Sequence, residues 1–213
     1  MFNTFSVIVI GDSGVGKSSI VKYLIEGKFV KDIPTTLQPD LACKDVELRN
    51  KCKVRLQIFD AAGQESNYGS LTRSSCMDKD GALIVYNVTD RKSFDNISKW
   101  VEDAENYMPA EKTIFIVGNM IDKEVQRIST LEGKNKAANL HLKYFETSAK
   151  EGTNIHDVFH SLAEDIYAMN RKRSGYLHNR QNDDQQHILQ PFDDSNEVKF
   201  KSDNECCQCC QCC

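Results

Sequence analysis

Apolar residues in this chain gather into short dense runs and alternations, spaced by polar helical stretches. The run through Phe5, Val7, Val9 and Ile10 predicts a strand over Thr4–Ile10. The glycine-rich turn Gly11–Gly16 then opens a helix over Lys17–Glu26. Cys52, Val54, Leu56 and Ile58 alternate with Lys53, Arg55 and Gln57, the period-two mark of a half-buried strand. With Asp45–Leu48 this strand forms a hairpin turning at Asn50-Lys51. The tight runs Ala82–Val88 and Thr113–Val117 read as central parallel strands covered on both faces. Between them Phe94, Ile97, Val101 and Ala104 share one face of a helix over Ser93–Met108, with Pro109 just past its end. A helix over Thr130–Asn139, a strand over Lys143–Glu146 and a helix over Asn154–Asn170 complete the alternation. One hairpin within a βα alternation predicts an α/β fold: a mixed, mostly parallel sheet of six strands with helices on both faces. Residues 1–170 form this domain. From Arg171 the chain turns to Asn, Gln, Asp and Ser, which predicts a disordered tether over 171–213.

Composition changes the picture little. The 213 residues are 40% hydrophobic and 27% charged, which suits a globular domain, and a net charge of −4 argues against nucleic acid as a partner. No apolar run reaches the roughly 18 residues that span a bilayer. Met1-Phe2-Asn3-Thr4 lacks the positive flank of a secretion signal. Cysteine usage is more informative. Cys43, Cys52 and Cys76 stand singly and read as small hydrophobes in a reducing compartment, whereas six of the nine cysteines crowd the last eight residues.

The chemistry gathers at strand ends. Gly11-Asp12-Ser13-Gly14-Val15-Gly16-Lys17-Ser18 fits G-x-x-x-x-G-K-[ST], and it lies between a strand and a helix as that motif requires. Its glycines let successive N–H groups, from Ser13 through Ser19, point at phosphate oxygens. Lys17 reaches the β- and γ-phosphates, and Ser18 offers its hydroxyl to Mg²⁺. Asp60, ending the alternating strand, is placed to hold Mg²⁺ through water. Gly63 brings an N–H near a γ-phosphate, and Gln64 orients an attacking water. Asn119 and Asp122 follow the Thr113–Val117 strand, where ligands of open α/β sheets bind. A carboxylate at Asp122 accepts two hydrogen bonds from guanine that adenine does not offer, which selects GTP over ATP. Ser148, Ala149 and Lys150, after the next strand, close the base pocket.

These four segments, in this order, resemble a small GTPase of the Ras superfamily over about residues 4–170. Leu56-Gln57-Ile58-Phe59-Asp60, Val85–Asp90 and Ser93–Trp100 are most similar to the Rab branch. The resemblance implies a P-loop G domain that binds GTP or GDP with Mg²⁺ and hydrolyses GTP slowly, with Gln64, Lys17 and Thr36 catalytic. It puts Thr36 on Mg²⁺ and the γ-phosphate in the GTP state, and Phe29 against the guanine ring. It further implies an exchange factor, a GTPase-activating protein, a GDP-dissociation inhibitor and effectors as partners of a monomer. The site would then work on the cytoplasmic face of an intracellular membrane, cycling with cytosol, in vesicle trafficking.

Four departures stand against that pattern. Leu37-Gln38-Pro39-Asp40-Leu41 replaces Ile-Gly-x-Asp-Phe, Phe59 replaces tryptophan, Ser66-Asn67-Tyr68 replaces Arg-Phe-Arg, and Met120 replaces the lysine of Asn-Lys-x-Asp. Two rivals therefore stay open: a pseudo-GTPase that holds nucleotide without efficient cycling, and another P-loop NTPase such as a small-molecule kinase. Residues 171–205 carry six basic against seven acidic side chains, so no polybasic patch assists membrane binding. Two lipids are then needed for firm anchoring, and Cys212 and Cys213 resemble a Rab double-geranylgeranylation site. Cys206, Cys207, Cys209 and Cys210 are open to palmitoylation, and a soft-metal site on the same thiols is the alternative.

Overall fold

The strand signals are realised as one sheet of order β2-β3-β1-β4-β5-β6. The computed structural model describes residues 3–31, 33–34, 40–61 and 73–188, with backbone alone for 73–74 and 174–188. The strands are β1 Asn3–Ile10, β2 Asp40–Glu47, β3 Lys53–Asp60, β4 Gly81–Asn87, β5 Thr113–Asn119 and β6 Lys143–Thr147. The helices are α1 Lys17–Glu26, α2 Arg73–Cys76, α3 Arg91–Asp95, α4 Ile97–Tyr107, α5 Thr130–Asn139 and α6 Ile155–Ile188. All neighbouring strands are parallel except the β2–β3 pair, which is the expected hairpin. Parallel strands need a crossover at every step, so each β-to-α turn carries chain to the same edge of the sheet. The site residues lie along that edge.

Period-two side-chain alternation divides the core between the two faces. Val7, Val9, Leu83, Val85, Phe115 and Val117 pack with Ile20 and Leu24 of α1 and with Val158, Phe159, Leu162 and Ile166 of α6. Ile8, Ile10, Ala82, Ile84, Ile114 and Ile116 turn the other way, onto Phe94 and onto Ile97, Trp100, Val101 and Ala104 of α4. Burial of both faces explains why β4 and β5 read as unbroken apolar runs.

The elements differ from their predicted spans in three places. β2 begins five residues earlier than the sequence indicates. It is an edge strand with only Ala42, Lys44 and Val46 half-buried among the first seven residues, so it lacks a strong hydrophobic alternation. The helix expected over Ser93–Met108 is two helices parted at Asn96. Asp90 caps the first of them, its carboxylate accepting from the Lys92 N–H at 3.1 Å. The last helix runs to Ile188 instead of Asn170. Residues 171–188 are polar, yet they contain no proline and a single glycine, and polarity by itself does not stop a helix. By internal contacts the chain divides into two units, Met1–Arg173 and Ser174–Cys213. Among the described residues no helix is long and apolar enough to cross a membrane. Cys76 is buried and Cys52 half-buried, as small hydrophobes would be, but Cys43 is exposed on β2.

Phe159 joins α6 to the sheet with only 1% of its surface exposed. Phe159→Ala should lower unfolding free energy by about 3–5 kcal/mol in urea denaturation, the cost of a large core cavity. A loss under about 1 kcal/mol would mean that α6 contributes little to the core.

Candidate nucleotide site

β1 delivers the chain to Gly11, whose backbone lies so close to β4 that a Cβ there would sit 2.1 Å from the Val85 carbonyl oxygen. Its φ of +140° also favours glycine. Gly14 and Gly16 have φ of +79° and +93°, left-handed turns that swing neighbouring N–H groups into a concave cradle. Gly16 is the N-cap of α1 and brings no side chain to cap it, which leaves the first N–H groups of the helix for an anion. The buried Lys17 ammonium donates to the carbonyls of Gly11 at 2.7 Å and Asp12 at 2.9 Å. Ser13 and Gly14 are exposed at the crest of the loop, while the Val15 side chain is in the core.

Asp60 ends β3 beside this loop and is 5% exposed. Burial raises its pKa above the ordinary 3.8, against the opposing pull of the Ser18 hydroxyl and the Lys17 ammonium. Among the described residues its Oδ1 has no hydrogen-bond partner. A buried, unpartnered anionic oxygen next to a serine hydroxyl is a hard-oxygen donor set, which suits a cation such as Mg²⁺.

The second half of the site hangs on Asn119, the last residue of β5. Its Nδ2 donates to the Val15 carbonyl at 2.9 Å, and its Oδ1 accepts from Thr147 Oγ1 at 3.2 Å and the Ala149 N–H at 3.3 Å. One buried amide therefore ties the phosphate loop to the loop after β6. Asp122 is held by Ser148, whose hydroxyl donates to Oδ1 at 2.7 Å, while Lys150 Nζ stands 3.9 Å from Oδ2. Only 3% of the Asp122 side chain is exposed, against 63% for Lys150. Ser19, Phe29, Asn119, Met120, Asp122, Lys123, Ala149 and Lys150 line a cavity of about 130 Å³. A half-exposed aromatic, a methionine and a fixed carboxylate around one cavity suit a flat heterocycle bearing N–H donors.

Fourteen of the sequence-derived positions thus meet at one edge of the sheet: the loop residues Ser13 to Ser19, with Phe29, Asp60, Asn119, Asp122 and 148–150 around them. Thr36, Gly63, Gln64, Cys212 and Cys213 lie outside the described residues. Motif reading missed Thr147, which holds Asn119, and Asp12, whose carboxylate is bonded to α4. Neither carries a spacing signal, because each matters through a partner far away in sequence.

The Ras family model matches residues 6–168. Among curated proteins the chain is 39% identical to "Ras-related protein Rab-11B" of Dictyostelium discoideum over 162 residues, covering 76% of this chain and 73% of that one. It is 36% identical to "Ras-related protein rab-39" of Caenorhabditis elegans over 178 residues, 81% of this chain and 76% of the relative. With "Ras-related protein RAB1BV" of Beta vulgaris it shares 35% identity over 204 residues, 94% and 91% of the two chains.

The raised pKa of Asp60 fixes a sign. The folded chain holds the proton more tightly than the unfolded chain, so the ionised carboxylate costs stability at pH 7, and that cost fades as pH falls through the folded pKa toward 3.8. In chelator and without nucleotide, Asp60→Asn should melt at or above the wild-type temperature at pH 7, and the two should converge in acid. A clearly lower melting temperature at pH 7 would show that the ionised carboxylate is well satisfied in the folded chain.

Proposed function

The chain belongs to the Ras family, on its Rab branch, and from that premise we propose that it is a GTP-binding switch that hydrolyses GTP and acts in membrane trafficking. The observation that carries this reading is the joining of a phosphate cradle and a carboxylate-bearing base pocket through Asn119. The cradle N–H groups and Lys17 hold the phosphates, and Asp122, fixed by Ser148, faces the guanine edge. Adenine offers that buried carboxylate no matching pair of N–H donors, a loss of several kcal/mol.

A bound Mg²⁺ would supply positive charge to offset that of the phosphates. Ser18 and Asp60 are the described residues that would hold it, and Thr36 completes the set by resemblance. Few protein ligands are needed, because Mg²⁺ usually keeps its waters and takes one or two carboxylates plus phosphate oxygens. Gly63 and Gln64 are assigned to the γ-phosphate and the attacking water. No arginine is assigned to the transition state within the switch segments, so turnover is slow until a GTPase-activating protein supplies one. An exchange factor, a GDP-dissociation inhibitor and effectors complete the cycle of a monomeric switch. Prenyl groups on Cys212 and Cys213 hold the chain to the cytoplasmic face of an intracellular membrane.

Met120 favours a second reading, a nucleotide-holding module that cycles poorly. It occupies a left-handed conformation, φ +68°, and its methyl would lie 3.5 Å from a Cβ built on Gly16. An apolar end therefore rests at the phosphate loop where the family has an ammonium.

Mass spectrometry of the nucleotide released from denatured protein should find GDP or GTP with the wild type and neither with Asp122→Asn. An empty wild type, or one bearing adenine, would overturn the guanine assignment. Met120→Lys brings an ammonium to the phosphate loop and should slow GDP release by about tenfold, the worth of one charge-assisted hydrogen bond. Equal release rates would show that the methionine already serves as well as lysine.

A further inference from the structure

Asp12 is buried, and neither the phosphate chemistry nor the base pocket uses its side chain. Each carboxylate oxygen takes a separate donor from the other side of the fold. Trp100 Nε1 donates to Oδ1 at 2.8 Å, and Asn96 Nδ2 donates to Oδ2 at 2.7 Å. The partners lie 88 and 84 residues away in sequence. Asn96 is the residue that parts α3 from α4, and Trp100 stands one turn further along, so both donors come from the start of one helix. The Asp12 carbonyl meanwhile accepts from Lys17 Nζ. Residue 12 is thus gripped on two sides: its backbone by the loop's own lysine, its side chain by α4.

We propose that Asp12, Asn96 and Trp100 form a brace that holds the phosphate loop in its binding conformation, with Asp12 as a positioning residue for nucleotide retention. The loop needs such a brace. Three of its residues are glycines with positive φ, and among the described residues a Cβ on Gly14 would meet nothing within 4 Å, so none of them packs on the crest there. A loop that samples other shapes binds more weakly in proportion to the fraction that is competent. Anchoring Asp12 next to Gly11, which is itself pressed on β4, fixes the entry to the cradle. An indole N–H buried in a core needs some acceptor, and here the acceptor belongs to the loop.

This inference rests on the guanine-nucleotide reading above, and the test separates the two. Release of fluorescent GDP from the full chain should quicken about tenfold in Trp100→Phe and in Asp12→Ala, a difference of about 1.4 kcal/mol. Asp12→Asn should stay within about threefold of wild type, because its amide oxygen still accepts from Trp100 and Asn96 can turn its own amide to accept. Val101→Ala, in the same helix and buried but not bonded to the loop, should lower the melting temperature and leave release unchanged. Amide hydrogen exchange over residues 11–19 should rise in Trp100→Phe and Asp12→Ala and not in Val101→Ala. Unchanged release and exchange in Trp100→Phe, or an equal rise in Val101→Ala, would overturn the brace. Should Asp12→Ala not fold, Trp100→Phe decides alone. A wild type that holds no guanine nucleotide removes the reading beneath, and the exchange measurement then decides the brace by itself.

Discussion

The side chain of Asn119 is the contact on which the site most depends. It sits at the end of a fully buried strand, where the parallel sheet presents three loops that share no sequence neighbourhood. An amide suits the position because it donates and accepts at once: its NH₂ takes the Val15 carbonyl and its oxygen takes Thr147 and Ala149. Neither a carboxylate nor an ammonium of similar size satisfies both demands. The glycine-rich loop and the loop after β6 are thereby set at a fixed separation by one residue rather than by the fit of two independent loops. Buried amides of this kind rigidify when fully satisfied and are costly when half-satisfied.

A second polar network keeps the base side of the sheet in place. Tyr144 donates to Glu146 Oε1 at 2.9 Å, so the 2.8 Å contact between the two tyrosine hydroxyls has Tyr86 as donor. Burial raises both phenols, Tyr86 to about 12 and Tyr144 also well above its usual range, and the chain of donors stays intact across the physiological range. Glycine makes room for it. A Cβ on Gly133 of α5 would lie 2.3 Å from the Tyr144 hydroxyl, and one on Gly118 of β5 would lie 2.8 Å from that of Tyr86. Glycine inside a helix costs about 1 kcal/mol against alanine, which the Tyr144 contact offsets. Glu146 is the residue before Thr147, so the network ends beside the contacts that Asn119 makes with Thr147 and Ala149.

These two networks also mark where sequence reading succeeds and where it stops. Strands β1, β4 and β5 and helices α1 and α5 were legible because burial imposes a period on their own residues. The turns of the loop after β1 were legible because positive φ favours glycine, and Gly11, Gly14 and Gly16 all adopt it. β2 was half missed because an edge strand with one wet face need not alternate strongly. The bond from Asn96 to Asp12 was invisible for another reason: its partner lies 84 residues away. Gly133 reads as a weak point in a helix until Tyr144 is placed against it. Local rules carry what local periodicity enforces, and long-range hydrogen bonds lie beyond them.

The electrostatics of Asp60 and Asp12 show the same loop region using two carboxylates in opposite ways. Asp12 spends both oxygens on neutral donors from α4 and is consumed by structure. Asp60 is as deeply buried, yet one oxygen has no partner among the described residues and its pKa is raised by that burial. A fold under selection for stability alone would pair or remove such a group, since an unsatisfied buried charge is among the more expensive features a core can hold. Its retention beside Ser18 and Lys17 makes sense if the missing partner arrives with the ligand. The stabilisation then appears only in the loaded state, which gives bound nucleotide leverage over the strand that leads into residues 61–72. Under the proposed function, a switch would use that asymmetry: a frame already complete at Asp12 and Asn119, and one oxygen that an arriving cation would satisfy.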